Sequence, residues 1–191
     1  KDFLPVPVIT FDGEKYHRNY NLANSIGNVK GYFGNFGVLI RAYAYILMMG
    51  KDLKQVSADA VLNANYIKEH LKNDFKIPYD EPCMHEFVLS GDLQKEKGIS
   101  TLNMAKRLMD SDIHPPTIYF PLIVHEAMMI EPTESENKER LDEFINVMQK
   151  IAKEVQENPE IILSAPNSAP VKKIDETLAA RKPDLNYRME E

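Results

Sequence analysis

The chain has 191 residues and a mass of 21.9 kDa, with 43% hydrophobic and 27% charged residues; this balance argues against intrinsic disorder and is enough for a buried core. Its net charge of −6 argues against nucleic acid or an anionic membrane surface as the main partner, because both attract clustered Lys and Arg. The single cysteine, Cys83, excludes an internal disulfide and a cysteine-based zinc site, and it fits a reducing, cytoplasmic compartment.

The first 30 residues are interpreted as an extended arm and linker. Phe3–Ile9 contains Pro5 and Pro7, and proline breaks helices and tolerates only edge positions in strands. The chain starts without Met and without the layout of a signal peptide, so we expect a piece of a longer protein. An arm of this kind typically packs on another chain.

Two helices are predicted next. Residues Val38–Met49 are apolar on nearly every side, which predicts a buried helix that ends at Gly50. A stripe of apolar residues at three- and four-residue steps predicts a second helix over Leu53–Asn73. The short connection between them predicts a helical hairpin.

Residues 31–157 are interpreted as an α+β domain. Met84–Leu89 is predicted to be a strand, and a short helix is predicted around Leu102–Met109, with Ser100 or Thr101 as its N-cap. Two further β-rich runs, Thr117–Phe120 and Ala127–Glu131, follow. This order predicts that the hairpin precedes a small antiparallel sheet with helices on one face.

The longest helix and a tail complete the chain. Thr133 and Glu136 have the spacing of a capping box, which predicts that a helix opens there and buries a stripe from Leu141 to Val155. Residues 158–191 contain four prolines and little apolar content, so we expect a tail that wraps over a surface. Its one helical patch is Ile174–Arg181.

Several common catalytic motifs are absent from the sequence. It has no phosphate loop, no Gly-x-Gly-x-x-Gly, no nucleophile elbow and no His-Glu-x-x-His. Its five histidines and one cysteine never reach zinc-site spacing, so no metal site is expected. Neighbours on a strand face opposite ways, so at most one of His85 and Glu86 is expected to line a site. The pair His125-Glu126 is expected in a solvated loop.

Two other features have two interpretations each, and a third has one. The prolines of His114-Pro115-Pro116-Thr117 either present His114 or Thr117 rigidly or form a stiff connector. Gly31, Gly34 and Gly37 either let backbone amides approach an anion at a helix start or, as the spacing favours, serve close packing. The acidic residues Glu131, Glu134 and Glu136 are explained by a helix dipole without metal.

Several segments together resemble one enzyme family. They are Met84–Val88, Lys106–Leu108, His114–Val124 and Glu131–Glu136, and they look like the C-terminal part of glycine dehydrogenase (decarboxylating), the P-protein of the glycine cleavage system. The tail from Ala165 to Glu176 is similar to the ending of subunit 2 of the two-subunit form. It departs at Asn167, where relatives are expected to carry His or Tyr. The resemblance covers essentially the whole chain.

The resemblance implies a fold-type-I enzyme that uses pyridoxal phosphate. In that family glycine loses its carboxylate as carbon dioxide and its aminomethyl group passes to the lipoyl arm of the H-protein, while the cofactor acts as the electron sink. The implied partners are glycine, the lipoylated H-protein and subunit 1 of a hetero-oligomer, with no nucleic acid and no membrane. The lysine that binds the cofactor belongs to a Ser-x-His-Lys segment, and no lysine here has that context.

The resemblance also suggests roles for individual residues. Tyr32, Gly34 and Asn35 would come near the cofactor phosphate, and His85, His114 and Thr117 would lie toward the substrate or lipoyl entrance. None of these is expected to be catalytic by itself, because the cofactor lysine is expected upstream, and the chain alone is predicted to be inactive. The alternative is a non-catalytic α+β interaction module, favoured by the exposed arm.

Overall fold

A computed structural model describes residues 2–29 and 34–186 of the chain. The chain divides into two compact units, Lys1–Lys51 and Asp52–Glu191. The division into arm, domain and tail after residues 30 and 157 rests on composition and remains a prediction.

The first unit opens with a two-stranded hairpin. Strand β1 (Val8–Phe11) pairs antiparallel with β2 (Tyr16–Asn19), and Phe11 faces Tyr16 beside the turn. Asp12 makes this turn, because its Oδ1 accepts hydrogen bonds from the backbone N–H groups of residues 14 and 15 at 2.9 and 2.8 Å. The prolines of the arm precede β1, so they do not interrupt its pairing.

Helix α1 (Phe36–Met49) completes the first unit. The side chain of Asn35 caps it by accepting a hydrogen bond from the Val38 N–H at 3.3 Å, and Gly50 ends it as predicted. The prediction of a buried helix is wrong for this chain, since α1 has no buried residue. A helix that is apolar on every side needs other parts of a protein to bury its side chains, and the described residues do not bury those of α1. The predicted hairpin with the next helix remains a prediction.

The second unit contains all the other elements. They are α2 (Leu53–Leu71), β3 (Phe87–Ser90), α3 (Asp92–Lys95), α4 (Thr101–Met109), β4 (Thr117–Ile118), β5 (Ala127–Ile130), α5 (Lys138–Glu157), α6 (Pro159–Leu163) and α7 (Glu176–Arg181). The sheet has the order β3-β5-β4 with both pairings antiparallel, so the predicted small antiparallel sheet is confirmed. That helices cover one face of it remains a prediction.

The core of the second unit lies between α2, α4, α5 and the sheet. Each of these elements, and Phe75 just after α2, contributes fully buried large side chains: Ile67, Leu71, Phe75, Leu89, Met104, Leu108, Met128, Met148 and Ile151. The stripe predicted from Leu141 to Val155 lies in this core on α5. Helical periodicity therefore identified which faces are buried.

The start of α5 differs from the prediction. The helix begins at Lys138, and Asn137 is its N-cap, accepting a hydrogen bond from the Arg140 N–H at 2.9 Å. Thr133 instead lies in an irregular segment, where its hydroxyl is 2.7 Å from that of Ser135. The capping box predicted from Thr133 and Glu136 is therefore wrong. On α4, by contrast, Ser100 is the N-cap, as predicted.

Candidate active-site pocket

A pocket of about 370 Å³ opens on the second unit. Its floor is apolar and consists of Ile67, Ile113, Met129, Ile130, Leu141 and Phe144. Its polar rim consists of His114, Thr117, Glu131, Glu136, Arg140 and Glu143. A mostly apolar cleft with a few convergent polar groups is the usual form of a small-molecule site.

The His114–Thr117 segment forms one wall of the pocket. It connects α4 to β4, and all four of its residues line the cavity. Thr117 pairs with Met129 of β5, so the sheet fixes the end of the segment, while Pro115 and Pro116 restrict the backbone before it. The segment is therefore a connector from α4 to β4 that also borders the pocket, and a role for His114 or Thr117 remains a prediction.

His85 lies across from Glu131. Its Nε2 is 3.8 Å from Glu131 Oε1 and 4.0 Å from Glu86 Oε2. The prediction that His85 and Glu86 face opposite ways is wrong, because strand β3 begins only at Phe87. Phe87 pairs with Ile130, so the same register would set Glu86 against Glu131 and then His85 against Pro132, which has no N–H to continue the ladder.

The pocket rim has an excess of negative charge. Glu131, Glu136 and Glu143 line it together with a single arginine, Arg140. Arg140 Nη1 lies 2.5 Å from Glu143 Oε2, so its charge is already paired. The net negative charge of the rim therefore disfavours a phosphate or carboxylate relative to a neutral chain or an amine.

The predicted phosphate-binding residues belong to the first unit. Tyr32 lies outside the described residues. Gly34 has a φ of +97°, a conformation that glycine adopts easily, and it precedes the Asn35 cap of α1. The first turn of this helix carries no acidic residue. A helix start of this kind offers unpaired backbone N–H groups to an anion.

Arg107 is held in a buried ion network. It donates to both oxygens of Glu154 at 2.9 Å and to Asp110 Oδ2 at 3.0 Å. Asp110 Oδ1 in turn accepts hydrogen bonds from the N–H groups of Asn167 and Ser168, at 2.5 and 2.7 Å, and from the Ser168 hydroxyl at 2.9 Å. Arg107 is therefore engaged with protein carboxylates, and Asp110 pins the tail.

These contacts set the charge of Asp110. Burial raises the pKa of its carboxyl, but the hydrogen bonds from Ser168, Arg107 and Asn167 outweigh burial and lower the pKa to about 2. The hydrogen bonds that Arg107 donates to Glu154 and Asp110 hold the pKa of its guanidinium above its ordinary value. Asn167, where relatives are expected to carry His or Tyr, is therefore one of the residues that tie the tail to Asp110 at the end of α4.

His125 and Glu126 have different surroundings. His125 is exposed, as expected, and its Nδ1 lies 2.5 Å from Asp92. A hydrogen bond from Lys76, then one from His125, lowers the pKa of Asp92 to about 2. The solvated position expected for Glu126 is wrong, because it is buried and accepts the Thr101 N–H at 2.7 Å while pairing with Lys95 at 3.0 Å.

The described residues contain no cluster of three or more His, Cys, Asp or Glu suited to a metal ion. Cys83 is half-buried and packs against the core. Among the described helices, none is long and apolar enough to cross a membrane.

Comparison with known proteins places these features in a family. A family model described as "Glycine dehydrogenase, C-terminal domain" matches residues 56–172. A protein of Listeria monocytogenes serotype 4a, named "Probable glycine dehydrogenase (decarboxylating) subunit 2", is 58% identical over 189 residues, which cover 98% of this chain and 39% of that protein. One of the same name from Staphylococcus epidermidis is 55% identical over 186 residues, covering 97% of this chain and 37% of that protein.

The chain thus spans about two fifths of the length of the curated relatives it matches. The match includes the His114–Thr117 wall, the pocket and α2 from residue 56 onward. The family model covers more than half of the chain, and the relatives match it almost from end to end. The chain belongs to the family of glycine dehydrogenase C-terminal domains.

Proposed function

We propose that this chain is the C-terminal part of a cytoplasmic, fold-type-I pyridoxal-phosphate enzyme that decarboxylates glycine, the P-protein of the glycine cleavage system. The observation that carries the proposal is the 58% identity over 189 residues to a relative named as a subunit of that enzyme. In the proposed reaction glycine loses its carboxylate as carbon dioxide, and the aminomethyl group passes to the lipoyl arm of the H-protein. Subunit 1 is the proposed partner in a hetero-oligomer.

The first unit offers an anchor for the cofactor phosphate. Backbone N–H groups at the start of α1, beside Gly34 and Asn35, can bind an anion. We include Tyr32 in this proposed anchor because it precedes that turn. Pyridoxal phosphate, when bound, supplies the electron sink for the loss of carbon dioxide.

No lysine of this chain is proposed to hold the aldehyde end of the cofactor. Among the described lysines, Lys68 is buried, and it donates its Nζ protons to the carbonyl oxygens of Asp80 and Glu81, at 3.1 and 2.5 Å, so its amine is engaged. No lysine stands in a Ser-x-His-Lys context. We therefore propose that another part of the full protein supplies the cofactor lysine.

The pocket is the proposed entrance for the lipoyl arm. Its apolar floor can pack against an aliphatic chain, and its acidic rim disfavours the glycine carboxylate and the cofactor phosphate. His85, His114 and Thr117 would then line the path of the arm. Their proposed tasks are to orient the arm and to keep water from it.

A bulky residue in the pocket tests this assignment. In the full-length protein assembled with its subunit 1 partner, Thr117→Phe is expected to raise the KM for the lipoylated H-protein and to leave the KM for glycine unchanged. Thr177→Phe is the matched control, because Thr177 is exposed on α7 and does not line the pocket. A raised KM for glycine with an unchanged KM for the H-protein would contradict the assignment.

A further inference from the structure

The contact between His85 and Glu131 depends on two irregular segments. Residues 80–86 precede β3, and residues 131–137 lie between β5 and α5. The ladder between β3 and β5 stops at Phe87 and Ile130, so strand pairing fixes neither segment. Irregular backbone near a core still requires partners for its N–H and C=O groups. Helix α2 supplies these partners through its side chains.

Asn65 holds the segment that carries His85. Its Nδ2 donates to the carbonyl oxygen of Cys83 at 2.8 Å, and its Oδ1 accepts from the Cys83 N–H at 3.0 Å. Both backbone groups of a residue only two positions before His85 are thereby fixed. The Lys68 ammonium holds the same segment further upstream, through the carbonyl oxygens of residues 80 and 81.

Asn63 holds the opposite segment. Its side chain is buried, and its Nδ2 donates to the carbonyl oxygens of Thr133 at 2.9 Å and Glu136 at 3.4 Å. These bonds anchor residues 133–136 before the start of α5, and one of these residues, Glu136, lines the pocket together with Glu131. One helix therefore anchors both segments through side chains two positions apart.

We propose that Asn63 and Asn65 are positioning residues, which hold His85 and Glu131 together at the mouth of the pocket. The inference rests on the proposed function, since it specifies how the entrance for the lipoyl arm is shaped. The effect of the Glu131 carboxylate on the His85 ring falls at least in proportion to their separation, so doubling the 3.8 Å distance would at least halve it. Loss of either anchor lets one partner move away while the helices and the sheet remain.

The experiment is a mutant cycle read by NMR on the full-length protein that contains this chain. The ¹⁵N shifts of the His85 ring are compared between the parent and Glu131→Gln, at a fixed pH above the usual range of histidine titration. The same comparison is made in Asn63→Ala and in Asn65→Ala, which test the two anchors separately. Asn73→Ala is the matched control, because Asn73 is exposed just beyond the end of α2.

The expected result is that the shift caused by Glu131→Gln falls about twofold or more in Asn63→Ala and in Asn65→Ala, and is unchanged in Asn73→Ala. Methyl spectra of core residues on α2 and α5 show whether each variant is folded. If either anchor variant fails to fold, replacement by Ser, which keeps a polar group at the site, takes its place. An unchanged shift in folded variants of both anchors overturns the inference.

This measurement is independent of the proposed function. It needs neither cofactor nor turnover, so its failure leaves the family's reaction as proposed and removes only the positioning role. Conversely, if the coupling is found but Thr117→Phe leaves the KM for the H-protein unchanged, the positioning stands and the entrance assignment fails.

Discussion

Asp110→Asn is expected to destabilise the protein in a way that depends on pH. The Asp110 side chain is only 3% exposed and accepts hydrogen bonds from Arg107 and from two residues of the tail. Asparagine removes the negative charge and replaces one carboxylate oxygen with an NH₂ group. Arg107 can only donate hydrogen bonds, so it cannot bond to that NH₂ group. The tail and the Arg107 network are therefore both weakened by one isosteric change.

The magnitude follows from the pKa of Asp110. Its folded value of about 2 lies below the ordinary 3.8, so the charged form contributes stability above the ordinary value and loses it as pH falls toward 2. Linkage gives about 2.5 kcal/mol near pH 7 and about 1.3 kcal/mol near pH 3. The difference in the free energy of unfolding between parent and variant should therefore fall by about 1.2 kcal/mol between pH 7 and pH 3.

Urea unfolding of both proteins across this range measures the difference. Asp92 also has a lowered pKa, but it is present in both proteins and cancels in the comparison. A difference between parent and variant that stays constant from about pH 7 to about pH 3 would refute the reasoning, because the charge of Asp110 would then play no part.

Three further predictions concern packing, capping and exposed surface. Gly91→Ala should lower the free energy of unfolding by about 1–3 kcal/mol, because the new Cβ would lie 2.8 Å from atoms of Met104 and Thr101. Gly37→Ala is the control, because its new Cβ would lie 3.5 Å from the nearest atom. Equal effects of the two substitutions on the free energy of unfolding would contradict this prediction. Asn137→Ala should lower the free energy of unfolding by about 1 kcal/mol and Thr133→Ala by much less, because Asn137 is the N-cap of α5. A larger loss for Thr133→Ala than for Asn137→Ala in urea unfolding would contradict this and favour Thr133 as the cap. The uncovered apolar surface of α1 should make the isolated chain self-associate, and a clean monomer in sedimentation at high concentration would disprove this.

Helical periodicity in the sequence identified the buried face of α5. The buried residues from Leu141 to Val155 recur at three- and four-residue steps within one helix, so the sequence alone shows which face is buried. Local signals also predicted two helix ends. Ser100 caps the start of α4 and Gly50 ends α1, and each does so through residues next to it in the chain. Elements defined by such short-range contacts were therefore predictable.

Contacts between distant residues explain the errors. Thr133 and Asn137 both fit capping patterns, and the choice between them is made by Asn63, 70 residues before Thr133. Glu126 was expected in solvent, yet it accepts a hydrogen bond from Thr101, 25 residues away. No local pattern of residue types reveals such partners.

The candidate site was predictable in part for the same reason. The prolines between His114 and Thr117 signal a rigid segment by themselves, and the structure places both residues on the pocket. The approach of His85 to Glu131 depends on segments outside the β3–β5 ladder, which Asn63 and Asn65 hold from a distant helix, and the sequence does not display these contacts. The roles proposed for Tyr32, Gly34 and Asn35 still rest on the resemblance.

Release of labelled carbon dioxide from carboxyl-labelled glycine tests the proposed activity most directly. The full-length protein that contains this chain is assembled with its subunit 1 partner, pyridoxal phosphate and the H-protein. The account predicts release with the lipoylated H-protein and almost none with the unlipoylated form, or when this chain is added alone. Equal release from the isolated chain, or no release from the complete assembly, would contradict it.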